Sequence, residues 1–515
     1  MREIVILGGG ISGLSLAYYL KSFVRSPSHF RNRLRNLHPS SSAGALTSQN
    51  PRKIRIRIVE ASPRLGGWIH TETTPSGYLF EFGPRGFRPS RSGSEVLNLI
   101  EQLGLQDEML TVTPAAATSR YILHNQRMEK VPTNLWEFIR WPLARQVVAA
   151  LFNEAFAKPI QLTDDDDESI HDFITRRFNA SVADWLIDPM ASGIFGGDIR
   201  KLSIRCCFPI LIQMEQQYGS IIRGMLLSKL SQSPKKTLLD GSEMSEFVRR
   251  YERAVSISFR SGMYTLVDAL RKDLEESQEC EIHFDSKATK LEVVHQDNLA
   301  QFQLELETEE KARQIIRATD VYSTIPAKHI APIVQNSYPE MAKALQRVQY
   351  ASIGMIHLGY EASVLHSDGF GYLVPSLEDE KVLGVVYDSC AFPDQNASRT
   401  KQTRLTVMCG GARHPEIQSL LRPELENIAI SAVARHLGIS AQPNHVNAVL
   451  LEDCIPQYHV GMWQTRKSIE AHAAAISSRF RLGGNNFCGV GLADCVHRSK
   501  QLALEFFQDN FGSSA

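Results

Sequence analysis

The sequence predicts a discontinuous α/β protein, a doubly wound domain assembled from separate stretches of chain with a mixed-sheet unit and a helical unit inserted into it. Three observations carry this expectation. The chain opens on an apolar run, Ile4 to Leu7, then glycines, then Leu14, Leu16, Ala17 and Leu20 at helical spacing. That order reads as strand, tight turn and helix. A long tract, 91–230, is mostly helical in pattern, and strand-like runs recur from Glu281 onward. At 515 residues the chain also exceeds what one hydrophobic core usually serves.

Taken in order, the stretch Ser22 to Lys53 is rich in Arg, Ser, Pro and Asn without periodicity, and it reads as a surface insertion. Ile54 to Val59 alternates Ile or Val with Arg and ends at Glu60. Within the helical tract, Glu95 to Leu105, Leu135 to Phe156 and Ile170 to Ile187 read as helices. The acidic run Asp164 to Glu168 reads as a solvated loop that caps the third of them. Thr265 to Leu274 is a further helix. Strands are expected at Glu281 to Phe284, Lys290 to Val294, Phe302 to Leu306, Asp320 to Thr324, Ile353 to Tyr360, Val382 to Tyr387 and Leu405 to Met408. Helices at Glu424 to Leu437 and Gln501 to Phe507 close the chain. The expected domain pieces are 1–90, 231–295 and 456–515 for the doubly wound domain, 91–230 for the helical unit and 296–455 for the mixed-sheet unit.

Lys+Arg and Asp+Glu number 56 each, so no global charge draws the chain to nucleic acid or to an anionic surface. The 8 cysteines are scattered, without CxxC or a Cys/His cluster, which argues against a metal site and for a reducing compartment. No apolar run approaches the roughly 20 residues of a spanning helix. A strand starting at Ile4 leaves no room for a signal or transit peptide ahead of the fold.

Gly8-Gly9-Gly10-Ile11-Ser12-Gly13 fits G-x-G-x-x-G between a strand and a helix. Such glycines permit the tight turn and bring backbone N–H groups and a helix N-terminus to a pyrophosphate. Glu60 is the expected acceptor for a ribose hydroxyl, displaced along the chain by the insertion. FAD rather than NAD follows from Arg64-Leu65-Gly66-Gly67-Trp68, where a glycine pair gives backbone room and Arg64 can offset phosphate charge. A second glycine-rich run, Gly83-Pro84-Arg85-Gly86, follows with one cation.

These two runs, with Ser192 to Arg205, Gly369 to Pro375, His459 to Trp463 and Gly489 to Cys495, resemble the protoporphyrinogen oxidases, a family within the amine oxidase/phytoene desaturase flavoproteins. The resemblance implies that FAD is held by Gly8, Gly9, Gly10, Ile11, Ser12, Gly13 and Glu60. Further contacts would come from Arg64, Gly66, Gly67, Trp68, Gly83, Pro84, Arg85 and Gly86. Ala288, Trp463, Val490, Gly491, Leu492 and Asp494 would complete the flavin pocket. It assigns the porphyrinogen to Arg120, as a propionate partner, and to Gly193, Phe370, Leu373, Val386 and Met408. Read from the residues alone, the last four are more readily strand core, and Arg120 a surface ion pair.

The same resemblance implies hydride transfer to flavin with no strong general base, and reoxidation by O2 to hydrogen peroxide. It also implies monotopic attachment to the mitochondrial inner membrane, with a homodimer and ferrochelatase as partners. The stretch Leu135 to Leu143, with aromatics beside Arg, can lie in an interface, although a core-facing helix fits it equally well. Three rival functions stay open. An amine or polyamine oxidase would need an aromatic cage where Val386 and Met408 stand, and a flavin-type coproporphyrinogen oxidase would need more pocket cations than Arg120. A flavin-stabilised scaffold would be yellow and inert.

Overall fold

The computed structural model describes residues 2–25, 54–160, 163, 166–230, 237–296, 299–308, 310, 312–396, 402–487 and 489–511. Most of the expected insertion, 26–53, lies outside the described residues. Ser22 and its neighbours up to Arg25 instead complete the first helix, Ile11–Arg25, because Phe23 is buried in the core.

Five parallel strands form the first sheet, in the order Phe480–Leu482, Asp320–Ser323, Arg2–Leu7, Ile54–Val59, Cys280–His283. A strand at the centre of such a sheet is covered on both faces and must be apolar on both. Accordingly Ile4 and Ile6 enter one core with Leu14 and Leu16, while Val5 and Leu7 enter the opposite one with Val321 and Ile330. Each such side chain contributes roughly 1.5–3 kcal/mol. The helix Ile11–Arg25 packs against the C-terminal helix Leu492–Phe511. Buried Lys500 of the latter lies 2.7 Å from Glu95 and 3.1 Å from Asp240, which ties it to the helix Gly93–Gln102.

A three-stranded antiparallel sheet follows, Ser286–Gln296, Leu299–Thr308 and Arg313–Ala318. The third sheet is mixed, with seven strands in the order His445–Gln457, Gln349–Tyr360, Thr403–Gly410, Val382–Val386, Gly371–Leu373, Tyr121–His124, Arg127–Lys130. The last two strands come from the tract read as mostly helical, in which Ser119 to Leu123 is a β-like run. Their hairpin turns on Asn125 and Gln126, both with positive φ, as a two-residue hairpin loop requires. Glu378 fixes that turn by accepting the N–H groups of both residues.

The helical tract also differs from expectation in two places. Leu135 to Phe156 is two helices, Leu135–Arg140 and Ala144–Phe156, because Pro142 forces Trp141 into an extended conformation. Ile170 to Ile187 breaks after Arg177, where Asn179 caps a new helical stretch by accepting the N–H of Val182. The acidic run is not a free loop at its described end. Asp167 accepts the Ser203 hydroxyl at 2.7 Å and the Gly461 N–H at 3.2 Å, and Glu168 pairs with Arg176. Ser169 is the residue that caps the next helix.

Candidate active site

The glycine turn is built by backbone geometry. Gly8 sits at φ 101°, and its N–H donates to Val59 O at 2.9 Å, which joins the turn to the neighbouring strand. A Cβ on Gly13 would stand 1.9 Å from Gly8 O, so helix and turn approach as closely as glycine alone allows. Gly10 differs: a Cβ there would meet nothing nearer than 3.8 Å. Glu60, at the end of the second strand, accepts the Gly9 N–H at 2.7 Å and the Ser62 hydroxyl at 2.7 Å.

Both chain ends meet here. The Ser92 hydroxyl donates to Asp494 at 2.9 Å, and the Ser499 hydroxyl donates to Ser12 O at 2.8 Å. The result is one cavity of about 1530 Å³, above the roughly 300–1,000 Å³ of most small-ligand sites. It has room for a dinucleotide and a second molecule together.

Its lining takes in Gly8, Gly10, Ile11 and Ser12 of the turn, Glu60, Arg64 and Gly66 to Trp68, and Gly83 to Gly86. Ala288, Val490 to Leu492 and Asp494 complete the far side. Gly9 and Gly13 stand behind the turn, where they shape it. Arg64 lines the cavity but spends its donors on its own turn, reaching Gly67 O at 2.7 Å and Leu65 O at 3.2 Å. That contact shapes the glycine pair and does not leave a free fork for phosphate.

Trp463 is placed elsewhere. It does not line the cavity, because the helix Met462–Ile476 begins there and carries its ring against Arg205 at 5.8 Å and Lys467 at 5.3 Å. Tyr458 lines the cavity instead, its hydroxyl accepting the Gly489 N–H at 3.1 Å. No local pattern in the sequence singles that tyrosine out.

Of the expected substrate residues, Gly193 and Met408 line the main cavity, and Arg120 lines a smaller one beside it. Phe370, Leu373 and Val386 line neither. Phe370 packs with Leu110, Val112 and Ala116, Leu373 lies against Gly193, and Val386 pairs across the sheet with Gly371. The apolar wall comes from Ile353, Met355, Leu383, Leu451 and Ile455. Strand alternation explains the choice: Ile353 and Met355 face the cavity, while Ile356 and Leu358 enter the sheet's other core.

At the junction of cradle and wall, Arg85 is held by buried Asp388 at 3.2 Å, with its Nη1 3.9 Å from Met408 Sδ. Asp388 accepts the Thr406 hydroxyl at 2.6 Å, and Thr406 in turn meets His357 Nδ1 at 3.1 Å. Burial keeps His357 far below the usual imidazole range, hence neutral. Two guanidinium nitrogens of Arg85, Nε and Nη2, are buried without a hydrogen bond.

Glu81 lies close behind. Burial pushes its carboxyl up to about 7, against the lowering pull of the Met263 N–H, the Thr71 hydroxyl and the Arg85 charge. The folded protein therefore keeps a proton that the unfolded chain releases above 4.5. Stability from this group is present below that value and is lost as pH rises through about 7. Glu81→Gln is expected to flatten the fall in Tm between those limits. A slope identical to that of the parent would dispose of this assignment.

The residues fit a bound FAD. The Gly10 face has backbone room, the helix N-terminus at Ile11 and Ser12 opens on the cavity, and Arg85 presents unsatisfied donors beside it. The chain belongs to the flavin-containing amine oxidoreductase family, whose pattern it matches over residues 11–503. It is an FAD-dependent oxidoreductase.

Within that family its similarity is to the protoporphyrinogen oxidases. It is 33% identical to the human protoporphyrinogen oxidase over 98% of both chains. It is also 28% identical to the coproporphyrinogen III oxidase of Bacillus subtilis over 97% of this chain and 96% of that one. A solved structure from Exiguobacterium shares the fold at a TM-score of 0.73 and 20% identity, covering 99% of each chain.

Proposed function

We propose that this chain oxidises protoporphyrinogen IX to protoporphyrin IX with oxygen as the final acceptor. The observation that carries the reading is a cavity that is half dinucleotide cradle and half apolar wall. When bound, FAD supplies the hydride-accepting centre, and oxygen regenerates it with release of hydrogen peroxide.

The chain's own part is positioning and exclusion of water. Ile353, Met355, Leu383 and Ile455 offer an apolar surface to a macrocycle. Gly193 lines the same cavity with Leu373 packed against it, and Arg85 is fixed by Asp388 where cradle and wall meet. Purified protein incubated aerobically with protoporphyrinogen should produce porphyrin fluorescence and peroxide together. A rate no greater than autoxidation would refute the reading, and faster turnover of coproporphyrinogen or of an amine would replace it.

The same proposal includes docking on a membrane surface, with the mitochondrial inner membrane as its location. Leu135, Trp136 and Ile139 are exposed on one helix, Phe152 and Phe156 on the next, and Leu226 on Ile221–Leu230. Contiguous apolar exposure of this kind favours an interface. Ile194, 45% exposed, also lines the cavity. No helix among the described residues is long and apolar enough to cross a membrane.

Replacing Phe152 and Phe156 together by Asp is expected to lower partitioning onto phospholipid vesicles roughly 100-fold. Undiminished sedimentation with vesicles would contradict that docking face. Crosslinking in the membrane would show whether a second copy or ferrochelatase is a neighbour.

A further inference from the structure

We propose that Arg413 is a positioning residue, a latch that holds the helix Asp188–Phe195 against the mixed sheet and so sets the substrate half of the cavity; this rests on the porphyrinogen reading above. The helix carries Ser192, Gly193, Ile194 and Phe195 into the cavity lining, and Gly196 follows them. Arg413 itself lines no part of that cavity.

Little in the helix's own chain fixes where it lies. It emerges from a π-helical turn, Ala183–Ile187, whose hydrogen bonds reach one residue further back than those of an α-helix. Pro189 then sits in its first turn and has no N–H to bond backward. Its placement therefore depends on other segments. It packs on the strands Gly371–Leu373, Val382–Val386 and His445–Gln457. The approach is close: a Cβ on Gly193 would stand 2.9 Å from Leu373 Cδ2, and one on Gly196 2.9 Å from Ile353 Cδ1.

The polar ties converge on one loop. Gly411 to Arg413 follow the strand Thr403–Gly410, whose Met408 lines the cavity. Gly411, at φ 71°, donates its N–H to Ser352 O at 3.0 Å, and the Ala412 N–H donates to Gly196 O at 2.7 Å. Those bonds hold the end of the helix. Arg413 holds its start, pairing with Asp188, the first residue, while lying 3.5 Å from Asp198 beyond the last. Asp188 is wholly buried and also accepts the Ser376 N–H at 2.8 Å. Burial raises its carboxyl above the usual range, against the lowering pull of Arg413.

A guanidinium fork can serve two carboxylates at once, where an ammonium is a single point charge. Without it the first turn of the helix retains a buried acid whose cation is gone, and the helix moves off the sheet. A shift of about 1 Å in a positioning wall is enough to spoil a productive fit.

The test compares variants of the FAD-loaded protein by hydrogen exchange over 188–195 and by kinetics with protoporphyrinogen. Arg413→Met is expected to speed that exchange and to raise KM roughly tenfold, with kcat and FAD affinity unchanged. Arg413→Lys should lie between the parent and Arg413→Met. Asp188→Asn and the double variant Asp188→Asn/Arg413→Met should share the KM of Arg413→Met, because both residues act through one latch. The double variant strands no charge and keeps the fold if a single variant loses it. Arg422→Met, which breaks an exposed pair with Glu426, is the control for a lost cation and should leave KM alone.

Unmoved exchange over 188–195 in Arg413→Met would overturn the proposal. So would a KM equal to the parent's, a fall in FAD affinity that accounts for the lost activity, or effects that multiply in the double variant. A parent that does not turn over protoporphyrinogen defeats the oxidase reading alone, and exchange still judges the latch.

Discussion

Gly13→Ala is expected to leave a protein without flavin colour. The added methyl would stand 1.9 Å from Gly8 O, well inside contact distance. That carbonyl cannot retreat, because the Gly8 N–H is bonded to Val59 O and the Thr324 hydroxyl donates to Gly8 O at 3.2 Å. The helix Ile11–Arg25 must therefore shift away from the strand, taking its N-terminus from the place where a pyrophosphate would lie. A loss of roughly 100-fold or more in FAD affinity follows, about 3 kcal/mol.

Gly10→Ala separates cofactor binding from folding. Its methyl has 3.8 Å of room within the protein but faces the cavity. Tm of the FAD-free protein should be unchanged while FAD affinity falls. If both variants bound FAD like the parent, the phosphates would lie elsewhere.

The second large effect is expected at Glu154. Its side chain and that of Arg177 are wholly buried, and the two are paired. Glu154 also accepts the Ile221 N–H at 2.7 Å and the Ser220 hydroxyl at 2.8 Å. Arg176 and Glu215 extend the cluster at 2.6 Å. Removing one partner of a buried pair strands the other charge and typically destabilises by about 3–5 kcal/mol.

Glu154→Ala should accordingly lower Tm and accelerate amide hydrogen exchange over 144–156, the helix that carries Phe152 and Phe156 outward. Glu154→Gln keeps an acceptor for Ile221 and should lie between the two. Exchange rates equal to those of the parent would show that the cluster does not hold this helix.

What the sequence makes legible is what short-range chemistry dictates. The turn from Gly8 to Gly13 and the acid at Glu60 follow from local spacing, and the structure places Glu60 against the Gly9 N–H at 2.7 Å. The strand His445–Gln457 is not legible in that way. It contains Pro456, which argues against a strand from sequence alone, and it holds a positive φ at Asp453. It is tolerated because it is an edge strand, where a missing N–H costs little.

Asp388 and Tyr458 escape sequence reading for another reason. Each acts on chain brought from elsewhere in the sequence, Asp388 on Arg85 and Tyr458 on Gly489, and no local period encodes that approach. Phe370, Leu373 and Val386 show the converse limit of periodicity, lying outside the cavity lining. A strand has two faces, and knowing that a residue is apolar does not say which face the cavity takes.

The order of the first sheet has a consequence for how the molecule is made. Its edge strand Phe480–Leu482 and the helix Leu492–Phe511 are translated long after the turn at Gly8, yet the start of that helix closes the same site. A nascent chain emerging at roughly 5–20 residues per second therefore carries the turn well before the segment that completes the cofactor site. The glycine turn waits, exposed, for a segment still inside the ribosome, and premature termination anywhere upstream of Phe480 discards the flavin site altogether.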